Sequence, residues 1–117
     1  MNPEELKRRT KRFAHGCVKL SMTMQNGQLE RHVRGQLIRC STSVAANYRA
    51  ACLAQSRAGF TAKISIVLEE ADESAFWLEF ALDESILETR SADPLLNEAR
   101  ELSSIFFATR RTTRDKG

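Results

Sequence analysis

Apolar residues return every three or four positions along most of this chain. The clearest run is Val33, Leu37, Cys40, Val44, Tyr48 and Ala51, whose steps of 4, 3, 4, 4 and 3 trace one face of an α-helix. It crosses the stretch RCSTSVAANYRAAC, residues 39–52, where Ser41, Thr42 and Ser43 in a row would ordinarily announce a loop. A loop would reset the register of the stripe, and the register is kept. The spacing therefore predicts one helix over residues 31–53, with the triplet in its interior. Hydroxyls inside a helix bond back to the carbonyl of the preceding turn, which satisfies them at some loss of propensity. Small residues at Ser43, Ala46 and Ala50 would let a neighbouring helix approach closely.

Three more segments share the period. The first opens on Asn2-Pro3-Glu4-Glu5, an N-cap, a first-turn proline and a capping-box glutamate. Leu6, Phe13, Cys17, Leu20 and Met24 follow at helical spacing, beside Ala14 and Val18, until Gln25-Asn26-Gly27 ends the run. After a connection at 55–59 comes Phe60, Ile64, Val67, Ala71, Ser74, Leu78 and Ala81, flanked by Leu68, Ala75 and Leu82. Phe76, Trp77 and Phe80 widen that face, which calls either for a subunit interface or for extra packing within the chain. Ser91-Ala92-Asp93-Pro94 predicts a break, with Asp93 as N-cap and Pro94 at the first helical position. Leu95, Glu98, Leu102, Ile105 and Phe106 continue from it. Four helices of roughly 20–30 residues, each about 30–45 Å long, make an all-α chain: an antiparallel up-down-up-down four-helix bundle. Residues 1–117 form a single domain on this reading.

Composition agrees with that outline. Two prolines and five glycines disfavour a turn-rich β fold, and no apolar run approaches the roughly 20 residues of a membrane span. The charged start MNPEELKRRTKRF has no apolar core of a signal peptide. Cys17, Cys40 and Cys52 are odd in number and widely spaced, which suits buried thiols in a reducing compartment. A cytoplasmic protein is expected, with no membrane partner.

Charge adds more. Residues 1–60 carry eleven Lys/Arg and three acids, a balance of +8, while residues 61–104 carry three and eleven, a balance of −8. The tail returns to +3 through Arg110, Arg111, Arg114 and Lys116 against Asp115. Either the acidic and basic helices neutralise each other on packing, or complementary faces leave a basic end for polyanions. Lys7, Arg8, Arg9, Lys11 and Arg12 stand in the first two turns, where the helix dipole opposes cations by a few tenths of a kcal/mol.

Sites for catalysis are not visible. A serine or cysteine nucleophile in residues 39–52 needs a positioned base, and nothing marks His15 or His32 as oriented. Bundles often carry two-metal centres, but Glu70 and Glu73 have no histidine three residues on. There is no phosphate-binding glycine loop, no dinucleotide fingerprint and no zinc-protease motif. The expectation is a protein that is not an enzyme and holds no cofactor or metal.

The stretch from Gln36 to Ala51, QLIRCSTSVAANYRAA, resembles the signature Q-L-x-R-S-x-T-S-V-x-A-N-Y-x-E-A of the small proteins encoded by intervening sequences of bacterial 23S ribosomal RNA genes. Ser56, Arg57, Ala58, Phe60, Lys63, Ile66, Glu70, Ala71, Asp72, Glu73, Trp77 and Leu78 extend the likeness, and Arg12-Phe13-Ala14 fits the first helix of the family. Cys40 stands where that family usually has Ser, Ala45 where Gly is common, Ala50 where Glu is common, and Glu69 where Lys often stands. The resemblance implies a four-helix bundle that assembles into a ring-like homopentamer with no established enzymatic activity. A related accessory protein of diversity-generating retroelements is a basic pentameric barrel that binds nucleic acid and a reverse transcriptase.

Two sets of residues follow as candidates. Lys7, Arg8, Arg9, Arg12, Arg110 and Arg111 would contact RNA or another polyanion, because antiparallel helices bring both chain termini to one end of the bundle. Aromatic interleaving of the kind single-strand binders use is not expected, since the aromatics fall on apolar stripes. Arg39, Asn47, Arg49, Lys63, Glu70 and Glu73 would form a polar network that sets helix register or a subunit contact. The partners expected are further copies of the chain, and RNA or a nucleic-acid-associated protein. The competing reading is a protein–protein adaptor or structural oligomer with no nucleic-acid role.

Overall fold

The hydroxyl triplet is helical. In the computed structural model, which describes residues 1–115, the second helix runs unbroken through it. Thr42 Oγ1 donates to the Ile38 carbonyl at 2.7 Å, and Ser41 Oγ to the same carbonyl at 3.4 Å. Both of these hydroxyls thus find an acceptor one turn back in their own helix.

Four helices make up the described residues: α1 (Pro3–Ser21), α2 (Gln28–Ala51), α3 (Arg57–Asp83) and α4 (Thr89–Asp115). Asn2 caps α1 by accepting from the Glu5 amide at 2.8 Å, and its side-chain amide donates to Glu5 Oε1. Ser56 caps α3 through the Gly59 amide at 3.0 Å, so that helix starts inside the stretch expected to be a connection. Gly27, in extended backbone, starts α2 without a side-chain cap.

The last boundary differs from expectation. The sequence places the start of α4 at Asp93-Pro94, but the helix begins at Thr89 and carries Pro94 inside it. Two facts explain this. The Glu88 carbonyl accepts from the Ser91 and Ala92 amides, and fully buried Ala92 locks this extra turn onto the core. Pro94 withholds only its own amide from the carbonyl four residues back, at exposed Arg90, where water can serve it. The preceding turn passes through Ser85 at φ 58°, a left-handed position, and the Ile86 and Leu87 amides both return to the Ala81 carbonyl.

The helices pack in cyclic order, α1 on α2, α2 on α3, α3 on α4, and α4 back on α1 across the thinnest seam. Arg9 of α1 meets Glu98 of α4, and Gly16 lies against Leu95, so these two helices run antiparallel. This is the expected antiparallel four-helix bundle, a rod of 47 × 20 × 19 Å. Its axis is filled by the predicted stripes. Val33, Leu37, Cys40 and Val44 of α2 and Ile64, Val67, Ala71 and Leu78 of α3 are fully buried. Phe13, Leu102 and Phe106 close the core from α1 and α4. Each large side chain there contributes roughly 1.5–3 kcal/mol on removal from water. On α4 the core face is Ala92, Leu96, Ala99, Leu102 and Phe106, which leaves the expected Leu95 and Ile105 half-buried at its edge.

Candidate polyanion interface

Antiparallel packing brings the C-terminal turns of α4 and the N-terminus of α1 to the same end of the bundle, which is therefore rich in cations. The six residues expected to meet a polyanion differ in how they are held there. Arg9 is engaged. Its guanidinium forks onto Glu98 at 2.7 and 2.8 Å and reaches Glu101 at 3.4 Å, with its side chain only 21% exposed. The hydrogen bond it donates to Glu98, helped by the charges of both acids, raises its pKa above the ordinary arginine value against some desolvation. Lys7 pairs with Glu4 at 3.1 Å one turn away, an exposed contact of little strength. Arg8 and Arg12 are exposed.

Arg110 and Arg111 share a partner that the sequence reading passed over. Both guanidiniums lie over the Phe107 ring, at 5.8 and 5.9 Å from its centroid, and the ring is half exposed to solvent. Spacings of three and four residues along a helix put all three on one face. An aromatic does therefore interleave with the arginines here, contrary to expectation. The signal was present in the sequence as a second phenylalanine beside core Phe106, followed by arginines at those two spacings. Arg110 Nε is buried without a hydrogen-bond partner among the described residues. Lys116, expected to extend this cluster, lies outside the described residues.

Arg34 and Arg31, also missed, serve the opposite end. Arg34 donates to the carbonyls of Ser21, Met24 and Gln25 at 3.2, 3.0 and 2.8 Å, and Arg31 to that of Asn26 at 2.6 Å. They satisfy carbonyls that the end of α1 and the turn after it leave over.

Of the six residues expected to form a polar network, the bundle brings three together. Arg39 bonds Glu70 at 3.0 Å and also grips Glu73, which in turn accepts from Trp77 Nε1 at 3.2 Å. Burial alone would raise the Glu73 pKa, but the bonds from Arg39 and Trp77 outweigh it and hold the carboxyl below its ordinary value. The other three stand apart for geometric reasons. At 100° per residue, Asn47 and Arg49 lie about 80° to either side of Arg39 around α2. Asn47 instead donates to Ser43 within its own helix, at 3.0 and 2.8 Å, and Arg49 turns towards α1. Lys63 sits two turns below Glu70 and makes no ion pair among the described residues.

A groove of roughly 690 Å³ runs along the outer seam of α1 and α2. Its floor is small and apolar: Ala14, Val18, Thr42, Ala45 and Ala46. Its rim carries Lys7, Arg8, Lys11 and Arg49, with Glu4 as its single acid.

The two buried thiols are poorly suited to chemistry. Burial pushes Cys17 up to about 12, with the nearby Cys40 adding to it, and pushes Cys40 up to about 11 despite a hydrogen bond from Ser74. Among the described residues no group of three or more His, Cys, Asp or Glu side chains could hold a metal ion. No helix of the described residues is long and apolar enough to cross a membrane.

Four antiparallel helices with a mixed-charge surface and a basic end define a small all-α bundle protein. The 23S rRNA-intervening sequence protein family matches residues 5–108, and the chain belongs to that family. A crystal structure of a protein of unknown function from the S23 ribosomal protein family of Bacteroides thetaiotaomicron is similar at 31% identity, with a TM-score of 0.86 over 95% of this chain and 99% of that one. No curated protein matches.

Proposed function

We propose that this protein is a non-enzymatic, self-associating scaffold of the cytoplasm that holds RNA on the basic end of its bundle. The observation that carries this reading is the face formed by Phe107, Arg110 and Arg111 near the C-terminus of α4, where an exposed ring and two guanidiniums stand together. A base stacks on the ring while its phosphates meet the two arginines. Arg9 takes no part, because Glu98 and Glu101 already occupy it. Five copies is the number that the family resemblance suggests, and a ring would multiply weak phosphate contacts by effective concentration.

The test is a salt titration of binding to single-stranded and structured RNA. Arg110→Gln and Arg111→Gln should each lower the slope of log affinity against log salt by about 0.7 on a single strand. Phe107→Leu should weaken single-strand binding several-fold and leave that slope in place. If the folded oligomer binds no RNA at low salt, the adaptor reading takes over. The apolar floor of the α1–α2 groove favours that second reading, since it offers a protein more than it offers a phosphate.

A further inference from the structure

The exposed face of α3 repeats the chemistry of the α1–α2 groove with its sign reversed. Glu69, Asp72, Phe76, Glu79 and Asp83 follow one another at steps of 3, 4, 3 and 4, and all are exposed. Phe76 lies about 160° around the helix from fully buried Leu78, so it points away from the core of its own bundle. Its ring is 51% exposed and held from below by Trp77, at 4.9 Å between centroids, and by Phe80, at 6.0 Å. Phe76 therefore stands on an aromatic base as a fixed knob, with carboxylates before and after it. Of these carboxylates, Glu79 alone reaches a cation among the described residues, Arg100 at 3.7 Å, in a loose contact.

The groove matches this ridge in three respects. Its rim bears four cations, Lys7, Arg8, Lys11 and Arg49, against the one acid Glu4, and is thus net positive where the ridge carries four carboxylates. Its floor of alanines and Val18 offers an aromatic ring an apolar seat, and the one hydroxyl there, on Thr42, is spent on the Ile38 carbonyl. Its length fits as well, for it spans Glu4 to Val18, fourteen residue steps or about 21 Å of helix, and the ridge from Glu69 to Asp83 is as long.

We infer that the α1–α2 groove receives the α3 ridge of a second copy of this chain, with Phe76 seated over Ala45 and Ala46. This rests on the self-association proposed above and assigns its surfaces. Groove and ridge are different patches of one chain, so the contact is head-to-tail, and each copy gives one ridge and receives another. Such contacts close into a ring or run on as a filament. They also divide the cations of the basic end. Lys7, Arg8, Lys11 and Arg49 go to the neighbouring subunit, while Arg110 and Arg111 stay open to RNA.

The experiment is light scattering of purified full-length protein, wild type and two variants, with circular dichroism confirming that each is helical. Phe76→Glu removes the knob and keeps the groove, whereas Ala46→Trp fills the groove and keeps the knob. Both positions are exposed, so neither change disturbs the core. The wild type should run well above its 13.2 kDa chain mass, and each variant alone should run as a monomer. Mixed in equal amounts, the variants should form a one-to-one dimer and nothing larger, because only one intact groove and one intact ridge remain. A wild-type oligomer whose variants keep its mass, or a mixture that fails to pair, overturns the surface assignment and leaves self-association standing. A wild type of monomer mass overturns both.

Discussion

The Arg9–Glu98 fork holds the thinnest seam of the bundle, and its removal gives a sharp test of how that seam is held. Arg9→Met keeps a long apolar stem but takes away two hydrogen bonds of 2.7 and 2.8 Å. Exposed ion pairs are worth about 0–1 kcal/mol and breaking a fully buried one costs about 3–5 kcal/mol. Here the two side chains are 21% and 23% exposed, which places the pair between those limits. Solvent reaches the stranded Glu98, so the expected loss is about 1–3 kcal/mol. At roughly 4 °C per kcal/mol for a chain of this size, the melting temperature should fall by roughly 4–12 °C. The interaction itself comes from a double-mutant cycle with Glu98→Met, followed by urea denaturation. Its coupling energy should exceed about 1 kcal/mol, because the bidentate geometry is ideal and the partners lie on different helices. Neutral pH and 10 mM salt is the condition to start from, and 0.5 M salt should reduce the coupling only in part. The same variant should leave the salt dependence of RNA binding unchanged, since Arg9 is committed to Glu98. A coupling energy near zero would refute the role given to this pair.

Three further expectations concern other parts of the fold. Arg34→Ala strands three carbonyls at the end of α1 and in the turn that follows, and should cost about 1–3 kcal/mol in denaturant midpoint, whereas Lys19→Ala nearby should cost almost nothing. Glu73 has a folded pKa below its ordinary 4.5, so its pairing with Arg39 stabilises the bundle above that value and the contribution is lost as pH falls through the lower, folded one. Trp77, the single tryptophan, should report that protonation in its emission below pH 4.5, and Arg39→Gln should move the midpoint upward; an unmoved midpoint would refute the assignment. Half-buried Cys52 should react with a thiol reagent in the native protein well before Cys17 and Cys40, and rapid modification of all three would contradict the burial described.

Periodicity alone determined most of the architecture. The α2 and α3 stripes named from spacing are the residues that fill the core, because a side chain's position around a helix depends only on its number in the chain. The hydroxyl triplet was legible for the same reason. The start of α4 was not: Asp93-Pro94 is a good local signal for a helix start, and buried Ala92 outweighed it by anchoring an earlier turn to the core. Charge was legible as a segregation along the chain, but its allocation was a matter of tertiary structure. Which arginine closes a seam, which caps a turn and which stays open depends on what a neighbouring helix places within about 3 Å. Arg9, Arg34 and Arg111 look alike in sequence and differ only through Glu98, the carbonyls after α1, and Phe107. The groove belongs to two helices at once, so no single stretch of sequence could announce it.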